Sequence, residues 1–143
     1  MDVRYTDLDG CGDAGGTVVV VDVLRAFTTA AHAFARGARD IVLVATVDEA
    51  FAWRERCPDV LVMGEVDGLV VPGFDLSNSP AEVAAAAVVA GRRLVHRTSA
   101  GTQGVVRSLA AQRLVAASFV CAGATAQPPA CWPPRRPPRS PSS

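Results

Sequence analysis

Residues 17–50 read TVVVVDVLRAFTTAAHAFARGARDIVLVATVDEA, and this stretch decides the fold class. Val18 to Val21 and Ile41 to Val44 are continuous apolar runs rich in β-branched residues and bounded by polar ones, the pattern of strands covered on both faces. Between them, Arg25 to Ala38 is Ala-rich and long enough for a crossover helix, with Gly37 where that helix should stop. Strand, helix, strand is the signature of a parallel sheet.

The alternation continues outward. Thr46 to Arg56 reads as a second helix with Asp48 and Glu49 in its first turn, where the macrodipole favours anions, and Val60 to Met63 as a third strand. A helix is expected from Pro80 to Ala90, with Ser79 as its cap, proline at its first position and Gly91 as its stop. A strand near Arg93 to His96, a helix from Thr102 to Ala111 and a last strand near Leu114 to Ala117 follow. The expected fold is therefore α/β, a mostly parallel sheet with helices on both faces in a three-layer sandwich. One connection breaks the rhythm: Gly64 to Ser79 carries four glycines and prolines among acidic and amide side chains, and long structured loops in compact domains tend to be functional.

The flanks differ in kind. Residues 1–16 read as a flexible lead-in, 17–126 as the α/β domain, and 127–143 as a disordered Pro/Arg/Ser-rich tail holding seven of the ten prolines. A Pro-rich docking segment is one alternative for the tail. A shift of reading frame near Ala126 is another, since GC-rich DNA read out of frame yields Pro, Arg and Ser.

Composition narrows the class. A chain of 143 residues, half of them apolar, is sized for one domain with a buried core. Fourteen acidic residues balance fourteen basic ones, all arginine, which excludes the basic footprint of a nucleic-acid binder. The acidic N-terminus has no apolar signal core, and no apolar run approaches the roughly 20 residues needed to cross a bilayer, so a cytoplasmic protein with no membrane partner is expected. Cys11, Cys57, Cys121 and Cys131 are scattered without a CxxC pair and read as reduced, incidental thiols.

In an open parallel sheet, ligands bind beyond the carboxyl ends of the strands. The polar residues gather at those places: Asp22, Arg25, Thr28 and Thr29 after the first strand, Glu65 and Asp67 after the third, Asp75, Asn78 and Ser79 in the long loop, and Thr98, Ser99, Gly101 and Thr102 after the fourth. Each has a purely structural alternative. Asp22 is equally a helix cap, Asn78-Ser79-Pro80 a natural cap, Asp67 a solvated loop acid, and Thr98 to Thr102 either a capped turn or an anion cradle of backbone amides and hydroxyls. Glu65, between glycine and valine with no helix to cap at once, is harder to explain structurally. Arg25 either pairs with Asp22 or holds an anionic substrate group. Gly10 to Gly15 matches GxGxxG, but it precedes a strand instead of joining strand to helix, so a dinucleotide site lacks its context. His32 reads as structural, and His96 as near enough to the rim for a supporting role.

Taken in order, DVLRA, GEVDG, GFDLSNSP and RTSAGTQG resemble the 2-phosphosulfolactate phosphatase family from about Thr17 to about Ala124. That resemblance implies magnesium-assisted hydrolysis of 2-phosphosulfolactate to 3-sulfolactate and phosphate, a step of coenzyme M synthesis, with a small anionic phosphate or sulfonate substrate. By motif it implies Asp22, Arg25, Glu65, Asp75 and Asn78 as catalytic residues. Arg25, Thr28, Ser79, Thr98, Ser99, Gly101 and Thr102 are the implied anion contacts, and Asp22, Glu65 and Asp75 the candidate Mg2+ ligands. Val66-Asp67-Gly68 and Arg97 to Gly101 depart from the family's glycine-rich stretch and threonine-bearing turn. Because family members continue beyond the fifth strand, the competing expectation is an inactive truncated remnant that at most binds small anions. Oligomeric state is left open by the sequence.

Overall fold

A computed structural model describes residues 2–127, so the expectations for the tail from residue 128 onward lie outside the described residues. The elements are β1 (Thr17–Val21), α1 (Ala26–Ala35), β2 (Asp40–Leu43), α2 (Val47–Arg56), β3 (Leu61–Gly64), β4 (Leu76–Ser77), α3 (Pro80–Ala85), β5 (Arg93–Arg97), α4 (Gly101–Arg107), β6 (Arg113–Ala117) and α5 (Ala122–Thr125). Every strand-to-strand ladder among them is parallel, as the strand–helix alternation demands. The chain is an α/β protein with parallel sheets flanked by helices.

The larger sheet runs in the order β2-β5-β3-β4. Its two faces are read off the period-2 alternation of its central strands. Leu61 and Met63 of β3 and Leu94 of β5 point to one side, where Ala33 of α1 and Val83 of α3 close the cluster. Val62 and Val95 point to the other, where they meet Ala50 of α2 together with Val44 and Val60. Met63, Leu94, Val62 and Val95 are fully buried, each worth about 1.5–3 kcal/mol of transfer free energy, and this three-layer packing supplies the rigidity behind the strand ends.

Helix punctuation follows the sequence closely. Thr46 and Glu49 form a reciprocal capping box at the start of α2, and Ser79 accepts the Glu82 amide ahead of Pro80 at the start of α3. Three readings need correction. The helix expected from Pro80 to Ala90 ends at Ala85; Ala86 is extended, and a 3-10 turn over Ala87–Val89 lowers the fully buried Val89 into the core. The long loop contains an extra two-residue strand, β4, which adds to the edge of β3.

The third correction concerns β1. It does not join the larger sheet; among the described residues it pairs only with β6, and its Val19 and Val21 are exposed. The all-valine run is covered on one face only, because α4 packs there: a side chain at Gly104 would stand 2.7 Å from Val20 Cγ1. The lead-in is anchored to the same helix. A 3-10 turn over Cys11–Asp13 buries Cys11, Ser108 Oγ donates to the Cys11 carbonyl, and Arg107 donates to the Leu8 carbonyl at 2.9 Å. No helix among the described residues is long and apolar enough to cross a membrane, and none of the described cysteines is in a disulfide.

Candidate functional site

The turn joining β5 to α4, residues 98–102, is the point on which the strand-end residues converge. Its own geometry is closed. The Thr98 amide donates to Thr102 Oγ1 at 2.8 Å, the Thr102 amide to Thr98 Oγ1 at 3.1 Å, and the Thr102 hydroxyl to the Thr98 carbonyl at 2.9 Å. Gln103 clamps the turn to the end of β2, donating to the carbonyls of both Thr98 and Ala45. Thr98 and Thr102 are buried, so these bonds satisfy polar groups that would otherwise cost about 1–3 kcal/mol each.

Two acids meet this turn from different strands. Asp22, following β1, lies against Gly101: a Cβ there would sit 2.6 Å from Asp22 Oδ2 and 2.6 Å from the Ala26 side chain, so only glycine permits the approach. Asp22 Oδ1 also accepts the Ala26 amide at 3.3 Å, at the opening of α1. Glu65, following β3, is buried and accepts the Ser99 amide at 2.6 Å and the Gly68 amide at 2.5 Å. These charge-assisted bonds offset the desolvation of a buried carboxylate. Gly64 must be glycine for the same kind of reason as Gly101: its φ is +141°, and a Cβ would fall 1.8 Å from the Arg97 carbonyl oxygen.

The anion held by this turn is thus the protein's own Glu65, through the Ser99 amide. Ser99 Oγ also accepts the Asp67 amide at 2.8 Å and Arg97 at 3.1 Å, and Arg97 reaches the Glu65 carbonyl at 2.7 Å. Asp67, exposed and with φ of +50°, joins Gly68 to form a two-residue turn closed by reciprocal Val66–Leu69 bonds. Both central residues have positive φ, which is the type I′ geometry that Asp-Gly favours.

Other expected site residues fall elsewhere or act locally. Asp75 accepts the Val62 amide at 2.7 Å and pairs with Arg54 at 2.5 Å, beside the C-terminal turn of α2 and back from the end of β3. Asp22, Glu65 and Asp75 are not brought together: among the described residues no cluster of three His, Cys, Asp or Glu side chains is arranged to hold a metal. As a magnesium cage the trio does not fit, since Glu65 is held by backbone amides on both oxygens, and Asp75 Oδ2 takes both Arg54 and the Val62 amide away from the turn that Asp22 meets; among the described residues Asp22 Oδ2 has no N–H partner. Arg25 is exposed beside Asp22 and, among the described residues, makes no ion pair with it. Thr28 donates to the Val23 carbonyl at 2.7 Å, bracing the strand-to-helix turn that carries Asp22, and Ser79 caps α3.

Asn78 lies deeper than the sequence suggests. It is 5% exposed, its Oδ1 is 3.2 Å from His96 Nε2, and its backbone carbonyl accepts the hydroxyl of buried Thr29 at 3.3 Å. Burial pushes the His96 pKa down to about 3, so the ring is neutral. Thr29 stood among the polar residues expected after the first strand, but its bond to Asn78, like those of Arg97 to Glu65 and Ser99, was not legible in the sequence. The available signal was a polar residue, His96, at a core-facing position two along from Leu94.

Beside these residues, a groove of about 1140 Å³ runs along β1, lined by Leu8, Val19, Val21 and Gly104 and ending at Asp22 and Gly101. The site therefore opens onto a space large enough for a small ligand.

Comparison with known proteins gives a consistent result. The family model described as 2-phosphosulpholactate phosphatase matches residues 5–130. A protein of Deinococcus radiodurans named "Probable 2-phosphosulfolactate phosphatase" is 48% identical over 110 residues, covering 76% of this chain and 45% of its own length. Proteins of the same name from Bacillus subtilis and Carboxydothermus hydrogenoformans are each 41% identical over 109 residues, covering 76% of this chain and 47% and 44% of themselves. The chain spans a little under half the length of the relatives it matches.

Proposed function

Because the chain belongs to the 2-phosphosulpholactate phosphatase family, we propose that its strand-end site takes part in hydrolysing a small anionic phosphate ester, 2-phosphosulfolactate, to 3-sulfolactate and phosphate. The observation that carries the reading is the meeting of Asp22 and the Glu65–Ser99 pair on one glycine-bearing turn at the mouth of a ligand-sized groove. A coenzyme M pathway and a cytoplasmic setting belong to the same proposal.

In the reaction a water oxygen bonds to phosphorus, the ester P–O bond breaks, and a proton passes to the departing 2-oxygen of the lactate. Asp22 is the carboxylate available for this chemistry, either taking the proton of the attacking water or itself attacking phosphorus. Arg25, exposed at the head of α1, supplies a fork of donors for phosphate or sulfonate oxygens. Glu65 and Ser99 hold the turn so that Gly101 stays against Asp22. A magnesium ion, were one bound, would be held by Asp22 together with water and substrate oxygens, and would supply polarisation of the phosphoryl group.

The test is phosphate release from 2-phosphosulfolactate by the folded chain, with magnesium and with chelator, alongside Asp22→Asn. Release that needs magnesium and is lost in D22N is the expected result; no release by folded protein removes the catalytic reading. Hydroxylamine trapping of an acyl phosphate separates attack by Asp22 from attack by water.

A further inference from the structure

Buried in the larger sheet, His96 is the polar residue the strand-end chemistry above does not use. It is the last residue but one of β5, fully enclosed, with Leu43 of β2 and Met63 of β3 as its register partners. A neutral imidazole has one N–H and one bare nitrogen. His96 Nε2 lies 3.2 Å from Asn78 Oδ1, while Nδ1 is buried with no partner.

That orphan nitrogen fixes the tautomer. If Nδ1 carried the proton, a buried N–H donor would be left unbonded and Nε2 would present a lone pair to Asn78. If Nε2 carries it, the only unpaired feature is an acceptor lone pair, the cheaper of the two vacancies. Nε2–H therefore donates to Asn78 Oδ1, and the acceptor end of the Asn78 amide is occupied. What Asn78 has left to offer is the donor end, Nδ2–H2.

The rest of Asn78 is equally fixed. Thr29 of α1 holds its carbonyl, and Ser79 and Pro80, which cap and open α3, follow at once in the chain. Capping is done by Ser79, so it does not explain why Asn78 beside it is held from α1 at its backbone carbonyl and from β5 at its side-chain oxygen. Thr29 stands in the first turn of α1, its amide bonded to the Arg25 carbonyl, the turn that Asp22 opens. An amide already held at its oxygen loses little side-chain entropy when its N–H2 engages a ligand.

We propose that His96 is a positioning residue: by holding Asn78 Oδ1 it sets the Asn78 amide as a fixed N–H donor to an oxygen of the phosphate group. This rests on the phosphate-ester reading of the site, and its test is arranged so that the two fail separately. On the intact chain, nitrogen-detected NMR reads the His96 tautomer, and a titration with inorganic phosphate follows the Asn78 side-chain amide. The expected result is a protonated Nε2 and an Asn78 amide signal that shifts with phosphate in wild type and in His96→Gln, which keeps a donor, but not in His96→Leu. An Nδ1–H tautomer, or an Asn78 signal indifferent to phosphate that binds elsewhere on the chain or not at all, overturns the proposal. The wild-type arm stands even if His96→Leu does not fold.

Where turnover is present, His96→Leu and Asn78→Ala each lower kcat/KM by about tenfold, and the double variant is no worse than Asn78→Ala alone, because one acts through the other. Additive losses would mean that His96 acts on its own, and would overturn it. A phosphate-responsive Asn78 in a chain without turnover removes the hydrolysis reading and leaves this one standing.

Discussion

At Gly101 there is no room for a methyl group. A Cβ would lie 2.6 Å from both Asp22 Oδ2 and Ala26 Cβ, so Gly101→Ala must displace the carboxylate or shift α4 away from α1. Overpacking of this kind costs about 1–3 kcal/mol, and urea unfolding should show that loss, whereas Gly123→Ala, with nothing within 4 Å, should change stability by less than about 0.5 kcal/mol. His96 carries a second residue-level prediction. With its pKa held near 3 in the fold and at about 6.5 in the unfolded chain, the unfolded state binds the extra proton as pH falls below about 6.5. Its contribution is thus intact above that pH and is lost at up to about 1.4 kcal/mol per pH unit on the way to pH 3. Thermal melts at descending pH should show this slope, and it should be shallower in His96→Gln. Asp22 and Glu65 were legible in the sequence because each stands just past a continuous apolar run. Their partners were not: Ser99 lies far along the chain from Glu65, and only the sheet order brings β3 and β5 side by side. Asp75 shared the same loop signal as Asn78, yet Arg54 and the Val62 amide take it toward the other end of α2.

Among the elements, α2, with a capping box at its start, was read correctly. The α2 capping box rests on Thr46 Oγ1 accepting the Glu49 amide at 3.1 Å and Glu49 Oε2 accepting the Ala45 and Thr46 amides. Thr46→Ala should therefore destabilise the chain by about 1 kcal/mol, measured by chemical denaturation, with Thr46→Ser close to wild type. The helix expected beyond Ala85 failed for a reason outside its own sequence. A run of alanines favours helix, but β-branched Val88 and Val89 weaken that preference and the core draws Val89 in beside Leu94. Strand β4 was invisible to pattern reading because two residues carry no periodicity; its pairing with Met63 and Gly64 defines it.

On the scale of the whole molecule, the parallel α/β class was plain from the alternation of runs, and the division into two sheets was not. Strand order is a tertiary choice, and an all-valine run looks the same whether one face or both are covered. The result is an open face on β1, with Val19 41% and Val21 64% exposed and Phe119 and Val120 exposed just past β6. Apolar surface of this kind, on a strand paired along one edge only, favours self-association. Light scattering over a concentration series should show it, and Val21→Lys should reduce it while leaving the thermal transition within a degree or two, since the side chain is already in water.

The position of β5 between β2 and β3 also dictates when this protein can begin to exist as a sheet. The two strands that flank it, β2 and β3, leave the ribosome before their common neighbour does, and neither can pair with the other across the gap. A nascent chain that has not yet delivered Arg93 to Arg97 holds β2 and β3 with no ladder between them, and the arrival of one segment, bearing His96 and leading straight into the 98–102 turn, completes the central ladders and brings Ser99 to Glu65.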